Sequence, residues 1–232
     1  MGTLPAPCAV VFDLDGTLID SAPDIHATVN AVLRLYGIAP LSLDQVRGFI
    51  GGGVDLLWRR VLQATGLPAA MHGEMLAAFM TRYHHATALT RIYPHVPEIL
   101  GVLADLGHPL GICTNKPLAT TRAVLDHFGL GGLFSAVIGG DSLPQRKPDP
   151  EPLRAAFAML GADRAQPAGV YVGDSEYDAF CARDAGVPFL LFTRGYCKLP
   201  FDQLPHHARF ADFSALPGLV ADLCVPGGPE RA

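Results

Sequence analysis

Charge is scarce in this 232-residue chain. Asp, Glu, Lys and Arg make up 17% of it, and 17 basic against 22 acidic side chains leave a formal net charge of −5. No run of Lys or Arg occurs, which argues against a nucleic-acid partner, because backbone neutralisation needs clustered cations. Long apolar runs are also missing. The longest stretch without a charged side chain, residues 127–140, is Gly-rich and too short to cross about 30 Å of hydrocarbon. No membrane partner is therefore expected. The opening MGTLPAPCAVVFD lacks a basic end and reaches Asp13 after a short apolar run, so no signal peptide is expected either. Cysteine is sparse and odd in number: Cys8, Cys113, Cys181, Cys197 and Cys224 show no CxxC spacing. That predicts reduced thiols in a cytoplasmic protein, not a disulfide frame or a zinc site. Apolar residues, by contrast, are plentiful at 50%, enough for a buried core and too many for a disordered chain.

Five short, nearly unbroken apolar runs punctuate the chain: Cys8–Phe12, Leu110–Cys113, Ala136–Ile138, Val170–Val172 and Phe189–Phe192. Such runs suit strands buried on both faces of a parallel sheet. Helical patterns at 120–128, 150–160 and 176–185 separate the later ones, each with Gly129, Gly161 or Gly186 at its end. Alternation of this kind predicts βαβ units and a doubly wound α/β fold.

One connection breaks the rhythm. Nearly a hundred residues separate the first two strands, and they read as four amphipathic helices. The first carries Ile25, Val29, Val32, Leu33 and Tyr36 on one stripe, with Ser21 as N-cap. The second opens at Ser42 with Gln45 three residues on, a capping-box pattern. A third follows Gly51-Gly52-Gly53 with Leu56, Leu57, Val61 and Leu62, and the fourth runs from about 69 to 86. Residues 1–18 and 91–232 are thus expected to form the α/β core and residues 19–90 an inserted helical cap. Hinges are expected at 18–20 and 89–93. The tail after Pro226 is expected to fray.

In an open parallel sheet, ligands bind beyond the carboxyl ends of the strands. Asp13-Leu14-Asp15-Gly16-Thr17 follows the first strand and Thr114-Asn115 the second. Lys147-Pro148 comes in the loop after the third, and Gly173-Asp174-Ser175-Glu176-Tyr177-Asp178 after the fourth. Four loops thus deliver acids, a hydroxyl, an amide and an ammonium to one rim. Gathered carboxylates repel one another, and oxygen ligands without Cys or His suit a hard cation, Mg²⁺ before Zn²⁺, with Mn²⁺ as the other candidate. Thr114 and Lys147 supply a donor and a positive charge for phosphate. A carboxylate can attack phosphorus through an aspartyl-phosphate, and a second one two residues along can protonate the leaving alkoxide and later activate water.

These motifs, with Asp13–Thr17 inside FDLDGTLIDS and Asp174–Asp178 inside GDSEYD, resemble in their order the four motifs of the haloacid dehalogenase superfamily of phosphohydrolases. The resemblance covers essentially the whole chain. It implies a Rossmann-like core with a cap, Asp13 as nucleophile and Asp15 as general acid/base. It also implies Mg²⁺ held by Asp13, the Asp15 backbone carbonyl and Asp174, with Asp178 in support, and phosphate held by Thr114, Asn115 and Lys147. Dehalogenases of the superfamily lack the second aspartate and phosphonate hydrolases carry a small residue there, so Asp15 favours phosphoester chemistry on a small phosphorylated metabolite. The strings VRGFIGGG, TNKP, KPDPEPL and TRGY resemble the bacterial phosphoglycolate phosphatases, implying 2-phosphoglycolate as substrate; they are shared in part with sugar-phosphate phosphatases, and a phosphosugar mutase would use the same core chemistry. For a carboxylate-bearing substrate, Gly51, Gly52 and Gly53 at a helix start are expected to seat the second anion, with Arg47 assisting. His84-His85, His206-His207, Trp58 and Cys113 are read as packing or surface residues.

Overall fold

The computed structural model describes residues 7–162 and 169–224. Six parallel strands make the main sheet: β1 (Ala9–Phe12), β4 (Leu110–Cys113), β5 (Ala136–Ile138), β6 (Gly169–Gly173), β7 (Phe189–Phe192) and β8 (Ala208–Phe210), with β2 and β3 belonging to a separate ribbon. Their spatial order is β5-β4-β1-β6-β7-β8, and Val10 stands beside Leu110 on one side and Val170 on the other. The chain therefore runs outward from β1 through β4 and β5, then returns to β1's other flank at β6. That reversal places the topological switch point at the carboxyl end of β1, where a crevice opens.

Alternation along β1 sorts the core into two layers. Val10 and Phe12 join Ile99, Leu100, Val124 and Leu216 on one face. Ala9 and Val11 join Leu153, Phe157, Ala179 and Ala182 on the other. The five apolar runs all form strands as expected. The sixth, β8, has no comparable signal because Ala208-Arg209-Phe210 is short, sits at the sheet edge and buries fully only Phe210.

Between β1 and β4 lies the helical insertion: α1 (Ala22–Leu35), α2 (Leu43–Arg47), α3 (Gly53–Thr65) and α4 (His72–Tyr83). These helices pack around their own apolar cluster, with Val29, Trp58, Val61 and Phe79 fully buried. Trp58 is a packing residue, its ring edge-on to Phe79 at 5.7 Å. The expected capping box is present, with Ser42 Oγ accepting from Gln45 N–H and Gln45 Oε1 accepting from Ser42 N–H. The chain enters and leaves the insertion through a two-stranded antiparallel ribbon, β2 (Ile19–Asp20) against β3 (Arg91–Ile92). Asp24 ties the exit to α1 by accepting from the N–H and hydroxyl of Thr90, both at 2.6 Å.

Two expectations differ from the structure. Ser21 occupies the N-cap position of α1, but its hydroxyl makes no cap bond and donates instead to Asp15 Oδ1 at 2.5 Å. Cys8 and Cys224 form a disulfide where reduced thiols were expected, while Cys113, Cys181 and Cys197 are free. The physical reason is packing of the chain's two ends in one layer, with Cα atoms 5.9 Å apart across a sequence separation of 216, which spacing cannot reveal. The tail after Pro226 lies outside the described residues. Among the described residues, no helix is long and apolar enough to cross a membrane.

Candidate active site

The strand ladders set the positions of the first acids. Asp13 continues β1 by donating its N–H to Val172 O at 2.9 Å, and Thr114 N–H donates to Ile138 O at 3.0 Å. Because β4 and β6 flank β1, Asp13, Thr114 and Asp174 emerge side by side at the crevice. Gly16 lets the first loop close over Asp174: its φ is +92°, and a Cβ there would lie 2.5 Å from Asp174 Oδ2. Thr17 Oγ1 donates to Asp174 Oδ1 at 2.7 Å, and Tyr196 N–H donates to Oδ2 at 2.6 Å.

Lys147 joins the loops electrostatically. Its ammonium is 2.9 Å from Asp13 Oδ1 and 2.6 Å from Asp178 Oδ1, and it donates to Tyr171 OH at 2.8 Å. All of these groups are buried. Burial favours the neutral amine, yet Asp13 and Asp178 together raise the Lys147 ammonium above its ordinary value and keep it charged. In turn the ammonium, against the cost of burial, holds the Asp178 carboxyl below the usual range. Asp178 is saturated with donors, taking Tyr171 OH at 2.7 Å and Ser175 Oγ at 2.6 Å as well. Asp13 is pushed up to about 6, chiefly by burial and against the pull of Lys147. Burial, with Asp178 and Asp13 nearby, raises the Asp174 carboxyl well above its normal value.

Carboxylate oxygens of Asp13, Asp174 and Asp178 lie within 4.8 Å of one another, all buried. Asp13 Oδ1 has the Lys147 ammonium at 2.9 Å as its side-chain partner. The buried all-oxygen set and its concentrated negative charge fit a hard divalent cation. The Asp15 side chain is not one of the trio.

The sequence profile of the haloacid dehalogenase-like hydrolases matches residues 10–192. The chain belongs to the haloacid dehalogenase-like hydrolase family. It is 50% identical over 217 residues to a phosphoglycolate phosphatase of Cereibacter sphaeroides (strain ATCC 17025 / ATH 2.4.3), covering 92% of this chain and 98% of that one. A phosphoglycolate phosphatase of Rhodospirillum rubrum is 41% identical over 229 residues, covering 96% and 94%. A crystal structure of a predicted phosphoglycolate phosphatase from Haemophilus somnus superposes with a TM-score of 0.86 at 31% identity, covering 92% of this chain and 97% of the other. With likeness of this extent to phosphatases, the chain is an enzyme of the phosphatase class.

In this hydrolase the cap closes one wall of the crevice. A cavity is lined by Asp13, Asp15 and Thr114 from the core and by Ile25, Ile50 and Leu57 from the cap. Asn115 also lines it, but its side chain is spent on backbone: Nδ2 donates to Gly51 O and Lys147 O, both at 2.9 Å, and Oδ1 accepts from Lys147 N–H at 3.0 Å. It fastens the Lys147 loop and the cap. Gly51 and Gly53 line the cavity, whereas the Gly52 position faces Leu56 and Tyr177 OH. Arg47 stands apart from the cavity, its guanidinium 3.4 Å from Asp44.

Sequence reasoning missed Lys116 and Tyr83. Lys116 follows Thr114-Asn115 directly, and its ammonium reaches Asp15 Oδ1 at 3.0 Å and Oδ2 at 3.2 Å and also donates to Tyr83 OH. The available signal was a cation in a strand-end loop already holding two candidate ligands. Tyr83 closes α4, a helix read only as cap packing.

Proposed function

We propose that this hydrolase is a Mg²⁺-dependent phosphomonoesterase that converts 2-phosphoglycolate to glycolate and phosphate through an aspartyl-phosphate on Asp13. The observation that carries this reading is Asp13 itself: a buried carboxylate at the switch point whose Oδ1 faces a fixed ammonium at 2.9 Å. The relatives' names supply the substrate.

Asp13, Asp174 and the Asp15 carbonyl would hold Mg²⁺, or Mn²⁺, whose chemistry is to neutralise charge on the phosphoryl oxygens and the attacking carboxylate. Thr114 and Lys147 bind and orient the phosphoryl group. Asp13 attacks phosphorus as the ester P–O bond breaks, and Asp15, turned into the cavity, gives its proton to the departing alkoxide oxygen. Asp15 then takes a proton from water, whose oxygen attacks phosphorus and releases Asp13. Asp178 acts by orienting Lys147. Residues 19–90 are proposed to move as the cap about the β2–β3 ribbon, excluding water from the first transfer.

The test is phosphate release from 2-phosphoglycolate beside sugar phosphates and nucleotides, with Mg²⁺ and with chelator, and with Asp13→Asn as control. A preference for 2-phosphoglycolate that is lost with chelator and with Asp13→Asn is the expected result. Metal-dependent release spread over sugar phosphates, or isomerisation without free phosphate, overturns the substrate; release that survives Asp13→Asn overturns the mechanism.

A further inference from the structure

We propose that Lys116 and Tyr83 form the seat for the substrate's carboxylate, a subsite assembled half from the core and half from the cap. The proposal rests on the 2-phosphoglycolate reading and places the second anion where sequence reasoning did not. At the expected seat, the Gly51–Gly53 turn, the Gly51 carbonyl faces Asn115, and neither Arg47 nor the cations beside the turn, Lys198 and Arg146, both held on backbone carbonyls, line the cavity. Lys147 is bound to Asp13 and Asp178. Among the described residues that line the cavity, Lys116 is the one cation.

Its surroundings have the chemistry of a carboxylate grip. The Lys116 side chain is 2% exposed, its ammonium lies 4.5 Å from the centre of the Tyr83 ring, and both oxygens of the Asp15 carboxylate sit on it. Tyr83 is held in place by ring contact with Phe79 at 4.6 Å, which in turn packs on Trp58. A buried ammonium requires an anion. In this arrangement Asp15 supplies it, and Asp15 is also the group that must reach the leaving oxygen. A substrate carboxylate arriving at Lys116 replaces part of that ion pair and leaves Asp15 to its proton transfer, still oriented by Ser21 Oγ. In 2-phosphoglycolate the carboxylate is separated from phosphorus by a single O–CH₂ link, matching a seat that adjoins the nucleophile's own loop. The cap walls around it, Ile25, Ile50, Val54 and Leu57, offer no donors to sugar hydroxyls. Because Tyr83 comes from the cap and Lys116 from the core, the acid group is sensed only when the two halves meet.

The experiment compares kcat/KM for 2-phosphoglycolate with that for ethyl phosphate, which has the same length and no carboxylate, using the Mg²⁺-loaded enzyme. Lys116→Met is expected to lower the ratio by about 10- to 100-fold, mainly through KM, as loss of a charge-assisted pair does. Lys116→Arg is expected to recover part of the ratio, and Tyr83→Phe, which keeps the ring, to lower it less. Inhibition by glycolate, read against inhibition by inorganic phosphate, gives a binding readout independent of turnover: glycolate is expected to weaken selectively in Lys116→Met. Parallel loss on both esters with an unchanged ratio, or unchanged relative glycolate inhibition, overturns the subsite and leaves Lys116 acting through Asp15. A wild-type enzyme with no preference for 2-phosphoglycolate over ethyl phosphate overturns the substrate reading itself, and that result is visible before any variant is made.

Discussion

The Lys147 ammonium stands 2.6 Å from Asp178 Oδ1, and neither side chain has meaningful access to water. The pair is the hub of the site, because the same ammonium faces the Asp13 carboxylate at 2.9 Å. Removing one member of a buried pair leaves an uncompensated charge, a change that costs about 3–5 kcal/mol. Lys147→Met is therefore expected to lower the unfolding free energy of the metal-free protein by that order. Adding Asp178→Asn should return part of the loss, since it removes one of the stranded charges. Urea unfolding of the two singles and the double checks this; strict additivity would show that the two residues are not coupled.

Asp13 is pushed up to about 6 and Asp174 is raised well above its ordinary value, both first by burial. A carboxyl raised in the folded state binds a proton more tightly there than in the unfolded chain. From these groups alone, the metal-free protein gains stability as pH falls from 7 towards 5. Metal binding needs the carboxylates ionised, so Mg²⁺ should displace protons at pH 7 and bind more weakly as pH drops through 6. Calorimetry in buffers of different ionisation heat measures the release directly, and a value of zero at pH 7 would contradict the burial argument.

Tyr196 links the buried acid Asp174 to the cap entry. Its N–H donates to Asp174, while its hydroxyl donates to Asp20 Oδ1 at 2.6 Å and accepts from Ser21 N–H at 2.8 Å and Ala22 N–H at 3.0 Å. Tyr196→Phe keeps the backbone bond to Asp174 but strands the polar groups at the start of α1. A loss of about 1–3 kcal/mol is expected, the cost of leaving a buried donor unpaired. Amide exchange should quicken at Ser21 and Ala22 and leave β1 and β6 protected; unaltered exchange there would remove Tyr196 from the hinge.

The Cys8–Cys224 bridge ties the start of β1 to the end of the helix Leu216–Leu223. Thiol titration of the unfolded, unreduced protein should count three of the five cysteines, and all five after reduction. Closing so long a loop restrains the unfolded chain, so reduction is expected to lower stability by about 5 kcal/mol. A count of five before reduction would mean that the two ends pack together without a bond.

Much of this enzyme is local information. The strands β1, β4, β5, β6 and β7 are apolar runs with turn residues beyond them, and a parallel sheet leaves such runs few other places to go. Asp13, Asp15, Thr114, Lys147, Asp174 and Asp178 follow strand ends, so the pattern that predicts the strands also predicts which side chains share a rim. The cap helices were legible for a similar reason, their apolar spacing being a property of each segment.

What the tertiary structure alone decided are relationships between segments far apart in sequence. The edge strand β8 is stabilised by its neighbour β7 and not by its own residues, which is why nothing in Ala208-Arg209-Phe210 announces it. The Cys8–Cys224 contact exists because two chain ends pack in one layer. Asn115 was legible as a polar residue at the rim, but which of its neighbours it would serve depended on where Gly51 and Lys147 arrive. Lys116 and Tyr83 lie 33 residues apart, on core and cap, and each alone is an ordinary lysine or a packing tyrosine. Short-range periodicity records which face of an element is buried; it holds no record of which side chains meet when the cap folds back over the sheet.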